Sequence, residues 1–374
     1  MATIRGEQVD RPPVSFYELN GLDEKPDLAD PFNIFNHPSW RPLIELTREK
    51  TDRIVMRNVP FLDAPPEPLD ECSQIESWID PDGRLFTRRV VKVAARELRS
   101  LTRRDPDVNT VWTVEHLLKD VGDLRAFLQI PPPTWVGAPD ISSVLEAEKT
   151  LGDSGIVMID TPDPLCEAAA LFHLADYLMI AFSERQLFHR LLERFAAVLY
   201  EKTEAIAKAL PGRLWRIYGP EYASPPYLPP WLFREFVTWY DKQMVAAIQQ
   251  WGGYARLHAH GHLKQILDEI VATGCMGLDP IEPPPQGDVE LSYVRQRYGE
   301  QLVLFGNLEA SDIETLPTPL FREKVERALS GGTHGKGRGF VLMPSACPYG
   351  RVLSPLALAN YECMIEEVDR LVVE

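Results

Sequence analysis

The stretch GGYARLHAHGHLKQILDEIVATGCMGLDPIE, residues 252–282, reads as a strand, a tight turn, a helix and a second strand. Tyr254, Ala255 and Leu257 make a short apolar run that ends in His258-Ala259-His260-Gly261. Strand side chains alternate between faces, so His258 and His260 are expected to point the same way. From His262 onward, Leu263, Ile266, Leu267, Ile270 and Val271 recur at the spacing of an amphipathic helix, and Gly274 stops it. Residues 275–279 follow as a buried strand with Glu282 just beyond its end. A βαβ unit places its ligand sites at the carboxyl ends of its strands. His258, His260 and Glu282 all stand at such ends.

The same reading extends in both directions. Residues 52–59 read as the first strand and residues 108–114 as another. Further strands are expected at 155–160, 214–218, 301–305 and 337–343, with helices at 165–209 (interrupted near Ser183), 231–250, 289–298, 320–329 and 355–371. Strand and helix alternate from Gly155 onward, and about eight strands in one run favour a closed (β/α)8 barrel over an open sheet. The α/β chain is therefore read as one barrel domain over residues 1–374. Residues 1–107 supply an N-terminal arm, the first strand and a hairpin insertion marked by Asp82-Gly83. Neither G-x-G-x-x-G after a strand nor a P-loop occurs, and the glycines from 331 to 339 read as a loop rather than a nucleotide cradle. Arg84, Arg88, Arg89, Lys92, Arg96, Arg99, Arg103 and Arg104 read chiefly as solvated surface charge. His173 and His189 are given no chemistry.

The 374-residue chain carries a net charge of −16 with 45% hydrophobic and 25% charged residues. That composition suits a globular protein and argues against a nucleic-acid partner, which needs concentrated Lys and Arg. No apolar run is long enough to span a bilayer and the start has no signal-peptide core, so no membrane partner and a cytoplasmic location are expected. Five scattered cysteines, Cys72, Cys166, Cys275, Cys347 and Cys363, read as reduced thiols rather than a disulfide framework.

The strand ends collect His258, His260, Glu282, Asn307 and Cys347 from successive units. Imidazole, carboxylate and thiolate suit a divalent borderline ion, zinc above all. Taken one at a time, the same residues also read as a bland His-x-His and a buried cysteine. Tyr218, Glu221, Asn307 and Tyr349 are candidates for substrate hydrogen bonds. Tyr222, Tyr227, Trp231 and Tyr349 are expected to give the cavity aromatic walls.

Several phrases of the chain form a larger pattern: G-P-E-Y with P-W-L-F-R-E-F (219–236), H-A-H-G (258–261), L-D-P-I-E (278–282), L-F-G-N-L (304–308) and C-P-Y-G-R-V-L-S-P-L-A-L-A-N (347–360). In these the sequence resembles the uroporphyrinogen decarboxylase superfamily, in particular its zinc-dependent methyltransferase branch. The resemblance implies a zinc ion on His258, His260, Glu282 and Cys347, with Glu282 as the catalytic and most readily displaced ligand. It also implies a small-molecule methyl donor or acceptor and a corrinoid, such as methylcobalamin, on a separate partner protein. His260 stands where those methyltransferases usually carry cysteine, which leaves the metal's identity open. The R-Q-A-G-R signature of the metal-free decarboxylases is absent, so such a lyase, with Arg and Asp holding an acidic substrate, is the alternative, beside a non-catalytic barrel that binds a corrinoid protein. The sequence leaves the donor, the acceptor and a homodimer open.

Overall fold

The computed structural model describes residues 1–133, 137–335, 337 and 339–373. Seven parallel strands follow one another in chain order: β1 (Arg53–Arg57), β2 (Gly155–Pro162), β3 (Leu214–Tyr218), β4 (Tyr254–Ala259), β5 (Gly277–Pro280), β6 (Val303–Leu308) and β7 (Gly339–Pro344). The eighth stave comes from residues 13–16. Ser15 N–H donates to Leu342 O (3.0 Å) and Leu342 N–H to Pro13 O (2.9 Å) on one side, and Asp52 N–H donates to Val14 O (2.8 Å) on the other. The ring thus closes as a (β/α)8-type barrel. No described helix is long and apolar enough to cross a membrane.

This closure corrects the sequence reading. Residues 108–114 were expected to include a strand, and Val111–Glu115 is one, but it ends a four-stranded antiparallel sheet inserted between β1 and β2. Residues 13–16, assigned to a polar arm, are too short and too close to Pro12 and Pro13 to show strand periodicity. The Asp82-Gly83 hairpin is present, joining Ser73–Ile79 to Leu85–Val93. Most arginines of this sheet are tied up with neighbouring carboxylates, among them Arg88 with Glu76, Arg89 with Asp70 and Arg96 with Asp123, while Arg104 donates to Phe32 O. The last strand begins at Gly339; Arg338, which the sequence reading placed in it, lies outside the described residues. The expected helix after β4 begins only at Leu267 and ends at Ala272, because residues 261–266 stay in a turn that docks His262 N–H on Pro225 O.

Alternation along the strands sorts side chains into two layers. Ile54, Met158, Leu214, Val303, Phe305, Val341 and Met343 form one small cluster with Ile4 of the short helix Ala2–Arg5, which fills the barrel interior. The intervening positions, such as Val55, Val157, Trp215, Leu304 and Leu342, belong to the larger cluster packed under the helices. The interior turns polar toward the carboxyl ends of the strands, where Asp160, Arg216, Arg256, His258 and Asp279 take the inward positions.

Gly306 shows how tightly β5 and β6 approach. At φ 143°, a Cβ there would lie 2.0 Å from Pro280 O. Alanine at position 306 is expected to cost about 2–3 kcal/mol, from strain and forced separation of the two strands. Urea denaturation checks this, and a loss within about 0.5 kcal/mol would show that the approach is not tight.

Candidate functional site

β4 carries both histidines to the mouth of the barrel. Their rings are 4.6 Å apart and nearly perpendicular. The Nδ1 atom of each faces a carboxylate: His258 meets Asp279 Oδ2 at 2.8 Å and His260 meets Glu282 Oε1 at 2.6 Å. Each ring is thereby oriented, and among the described residues Nε2 is left without a hydrogen-bond partner. The other Glu282 oxygen accepts Gly261 N–H at 3.1 Å.

Beneath the pair lies a bed of charge. Arg256 and Asp279, at 1% and 0% exposure, are within 2.8 Å of each other, though Nε and Oδ1 are not aligned for a hydrogen bond. Arg216 makes a two-pronged pair with Asp160 at 2.6 and 3.0 Å. It also donates to the Tyr17 hydroxyl, and the Tyr17 ring stacks on His258 with centroids 6.0 Å apart. Tyr17 and Ile281 both hold positive φ, 59° and 55°, a strained conformation for bulky residues that recurs at functional sites. Both flank the site.

Burial works against ionisation of Asp279 and Glu282, yet both are held below the usual carboxylate range. For Asp279 the opposing causes are the charge of Arg256 and then His258; for Glu282 they are the hydrogen bond and charge of His260 and the Gly261 N–H. His260 is raised in return: burial lowers it, but the hydrogen bond and field of Glu282 outweigh that. Glu309, one residue past β6, behaves oppositely. Burial and the nearby Glu282 push its carboxyl up to about 7, and its Oε1 has no partner among the described residues.

The other site residues expected from sequence divide as follows. Asn307 is buried and donates to Ile281 O at 3.1 Å, which fixes the turn into Glu282. Cys347 does not join the histidines; its thiol donates to Glu18 Oε2 at 3.5 Å, and burial followed by the Glu18 charge raises it well above the ordinary range. Among the described residues no three His, Cys, Asp or Glu side chains form a ready metal group. Tyr218 lies under the Arg216 guanidinium, and Glu221 accepts Gly219 N–H at 3.0 Å. The expected aromatic walls are not gathered: Tyr227, Trp231 and Tyr349 are exposed, Trp231 packing on Phe182 and Arg185, and Tyr222 packs against Tyr177. His173 caps the helix Leu174–Ser183, and His189 bridges Glu235 and Tyr240.

Sequence reasoning missed Asp279, Arg216, Arg256, Asp160, Tyr17, Glu18 and Glu309. The one available signal was charge inside strands that otherwise read as buried, since an unpaired charge in a barrel interior is too costly to keep.

A second acidic group lies beside this mouth. Asp163 caps the helix Pro164–Ala169, and Gly219 sits at φ 125° where a Cβ would come within 2.2 Å of Asp163 Oδ1. Asp241 is wholly buried, with neither oxygen partnered among the described residues. Burial, and then the charge of Glu221, raises Asp241 well above its ordinary value of 3.8. A raised carboxyl gives its full stability below that ordinary value and loses it as pH rises through the raised one. Asp241→Asn is therefore expected to stabilise the fold by about 1 kcal/mol or more at alkaline pH and by much less at acidic pH. Thermal melts across that range check the sign; a variant less stable at every pH would contradict it.

The uroporphyrinogen decarboxylase (URO-D) family model matches residues 164–371, more than half of the chain. The protein belongs to the uroporphyrinogen decarboxylase family. Among solved structures, a methyltransferase from Methanosarcina mazei superposes with TM-score 0.58 at 17% identity, over 99% of this chain and 96% of that one. A D-psicose 3-epimerase from Clostridium cellulolyticum H10 gives TM-score 0.34 at 9% identity, over 63% and 95% of the two chains. No curated protein matches the chain.

Proposed function

We propose that the protein is a zinc-dependent methyltransferase, moving a methyl group between a small methoxy or methylated molecule, or a thiol acceptor, and a corrinoid carried by a separate protein. The observation that carries this reading is the pair of imidazoles, each fixed through Nδ1 by its own carboxylate and each keeping Nε2 free. That is the arrangement of metal-binding histidines with their orienting partners. The donor chemistry fits zinc: His258 and His260 would hold it together with Cys347, once the thiol leaves Glu18. Glu282 would become a ligand only by giving up one of its two present bonds.

Bound zinc supplies Lewis acidity, which lowers the pKa of an acceptor thiol or draws charge from a methoxy oxygen as its methyl leaves. The chain's own residues do the positioning. Asp279 and Glu282 hold the two rings in one orientation, and Arg256 keeps Asp279 ionised beneath them. Asn307 fixes the backbone that delivers Glu282. The fold likeness to the Methanosarcina mazei methyltransferase agrees with this reading. The alternative lyase is less favoured, because Arg216 and Arg256, the inward arginines, are already committed to Asp160 and Asp279.

Protein purified without chelator is expected to carry near-stoichiometric zinc, and less than about a tenth of an equivalent of any divalent metal would overturn the reading. Anaerobic turnover of methoxy and methylthio compounds with a free or protein-bound corrinoid then separates donor from acceptor.

A further inference from the structure

Beside the histidine cluster, a crevice of about 280 Å³ opens between the end of β6, the loop after β5 and the helices Leu291–Tyr298 and Thr318–Thr333. Glu309, Asn307, Glu290, Asp312, Lys324 and Arg327 supply its charged and amide groups, with Ser292 and Ser330 between them. Lys324 is satisfied by Asp312 at 2.6 Å. Arg327 and Glu290 have no ion-pair partner among the described residues. Glu309 is the informative member. It is only 7% exposed, its Oε1 is unpartnered and it lines the crevice. A buried polar oxygen with no hydrogen bond costs about 1–3 kcal/mol, which a ligand can recover by supplying the missing partner. Once Asp312 and Lys324 neutralise each other, the lining keeps Glu309, Glu290 and Arg327 as its charged groups, and the guanidinium makes no ion pair with either carboxyl among the described residues. That arrangement matches a molecule carrying both signs.

We propose that this crevice binds a small zwitterion of the amino-acid type, its ammonium group donating to Glu309 and its anionic group paired with Arg327. A simple ammonium ion would leave the guanidinium unsatisfied, and a simple carboxylate would face the two acids unaided. The volume admits a molecule of a few heavy atoms, well short of a porphyrin or corrin. The site is separate from the metal donors, although both share the β5 and β6 ends. Its occupancy is therefore measurable without turnover.

The test is calorimetric titration of the full-length protein with glycine, methylammonium and propionate, repeated on Glu309→Gln and Arg327→Ala. Glycine is expected to bind at least about 10-fold tighter than either single-charge probe, and each variant to weaken it by about 10-fold. Arg327 is exposed, so its variant folds even where the buried change is disruptive. No binding of glycine below about 10 mM, equal binding of all three probes, or unchanged affinity in both variants overturns the proposal. Because binding is read directly, a protein that binds the zwitterion yet moves no methyl group sinks only the methyltransferase reading, and the converse sinks only this one.

Discussion

His258→Ala is expected to lose most of the bound zinc and to lower methyl transfer by roughly 100-fold or more, since changing even the partners behind metal-binding histidines costs 10–100-fold. The effect should be large because His258 is not a free side chain that another residue can replace. Its ring is clamped between Asp279 Oδ2 and the Tyr17 face, so its Nε2 has a single orientation. Without it, His260 and Cys347 remain, fewer than the three protein ligands that a zinc site keeps. The measurement is metal content by mass spectrometry beside single-turnover transfer, with circular dichroism to show that the barrel persists. A variant that keeps more than half of its zinc and its rate would remove His258 from the site.

Asp279→Ala is expected to be the most destabilising single change at the site, by about 3–5 kcal/mol, because it leaves Arg256 as an uncompensated buried charge. Arg256 is 1% exposed, and its Nε and Nη2 already lack hydrogen-bond partners, so proximity to Asp279 and the Phe305 face is what balances it. The same substitution frees His258 Nδ1, so metal affinity should fall as well. Asp279→Asn separates the two effects: it keeps a hydrogen-bonding partner for the imidazole but not the charge that offsets Arg256. Urea denaturation near neutral pH decides the matter, and a loss below about 1 kcal/mol for the alanine variant would mean that water or another group balances Arg256.

Much of this was legible from residue order because the relevant periods are short. The two-residue repeat of a strand puts His258 and His260 on one face, and 22 positions later Glu282 stands at the next strand end, where it meets His260. The groups that support them were hidden for the opposite reason. Asp279 sits inside L-D-P-I-E and Arg256 inside an otherwise apolar strand, and nothing local says that two residues on adjacent strands will face each other. Tyr17 and Glu18 reach the mouth from a segment with no periodicity at all. Cys347 shows the limit of spacing as a guide: it lies three residues beyond β7, and the loop, not the strand, decides where its thiol points. The carboxylate it meets, Glu18, comes from the opposite end of the chain.

The closure of the ring by residues 13–16 governs when the protein becomes competent. Val14 bridges Leu342, so this stave must wait for a strand far along the chain before it finds its place. Bringing such distant segments together is slow compared with forming any single strand–helix unit. Until then the barrel is an open sheet with two raw edges, which invites pairing with other chains. Tyr17 and Glu18 follow directly on that stave, so the aromatic face against His258 and the partner of the Cys347 thiol arrive together with closure. Without that pairing the chain would carry both histidines and their carboxylates but not this final pair, and maturation of the site is thereby tied to closure of the ring.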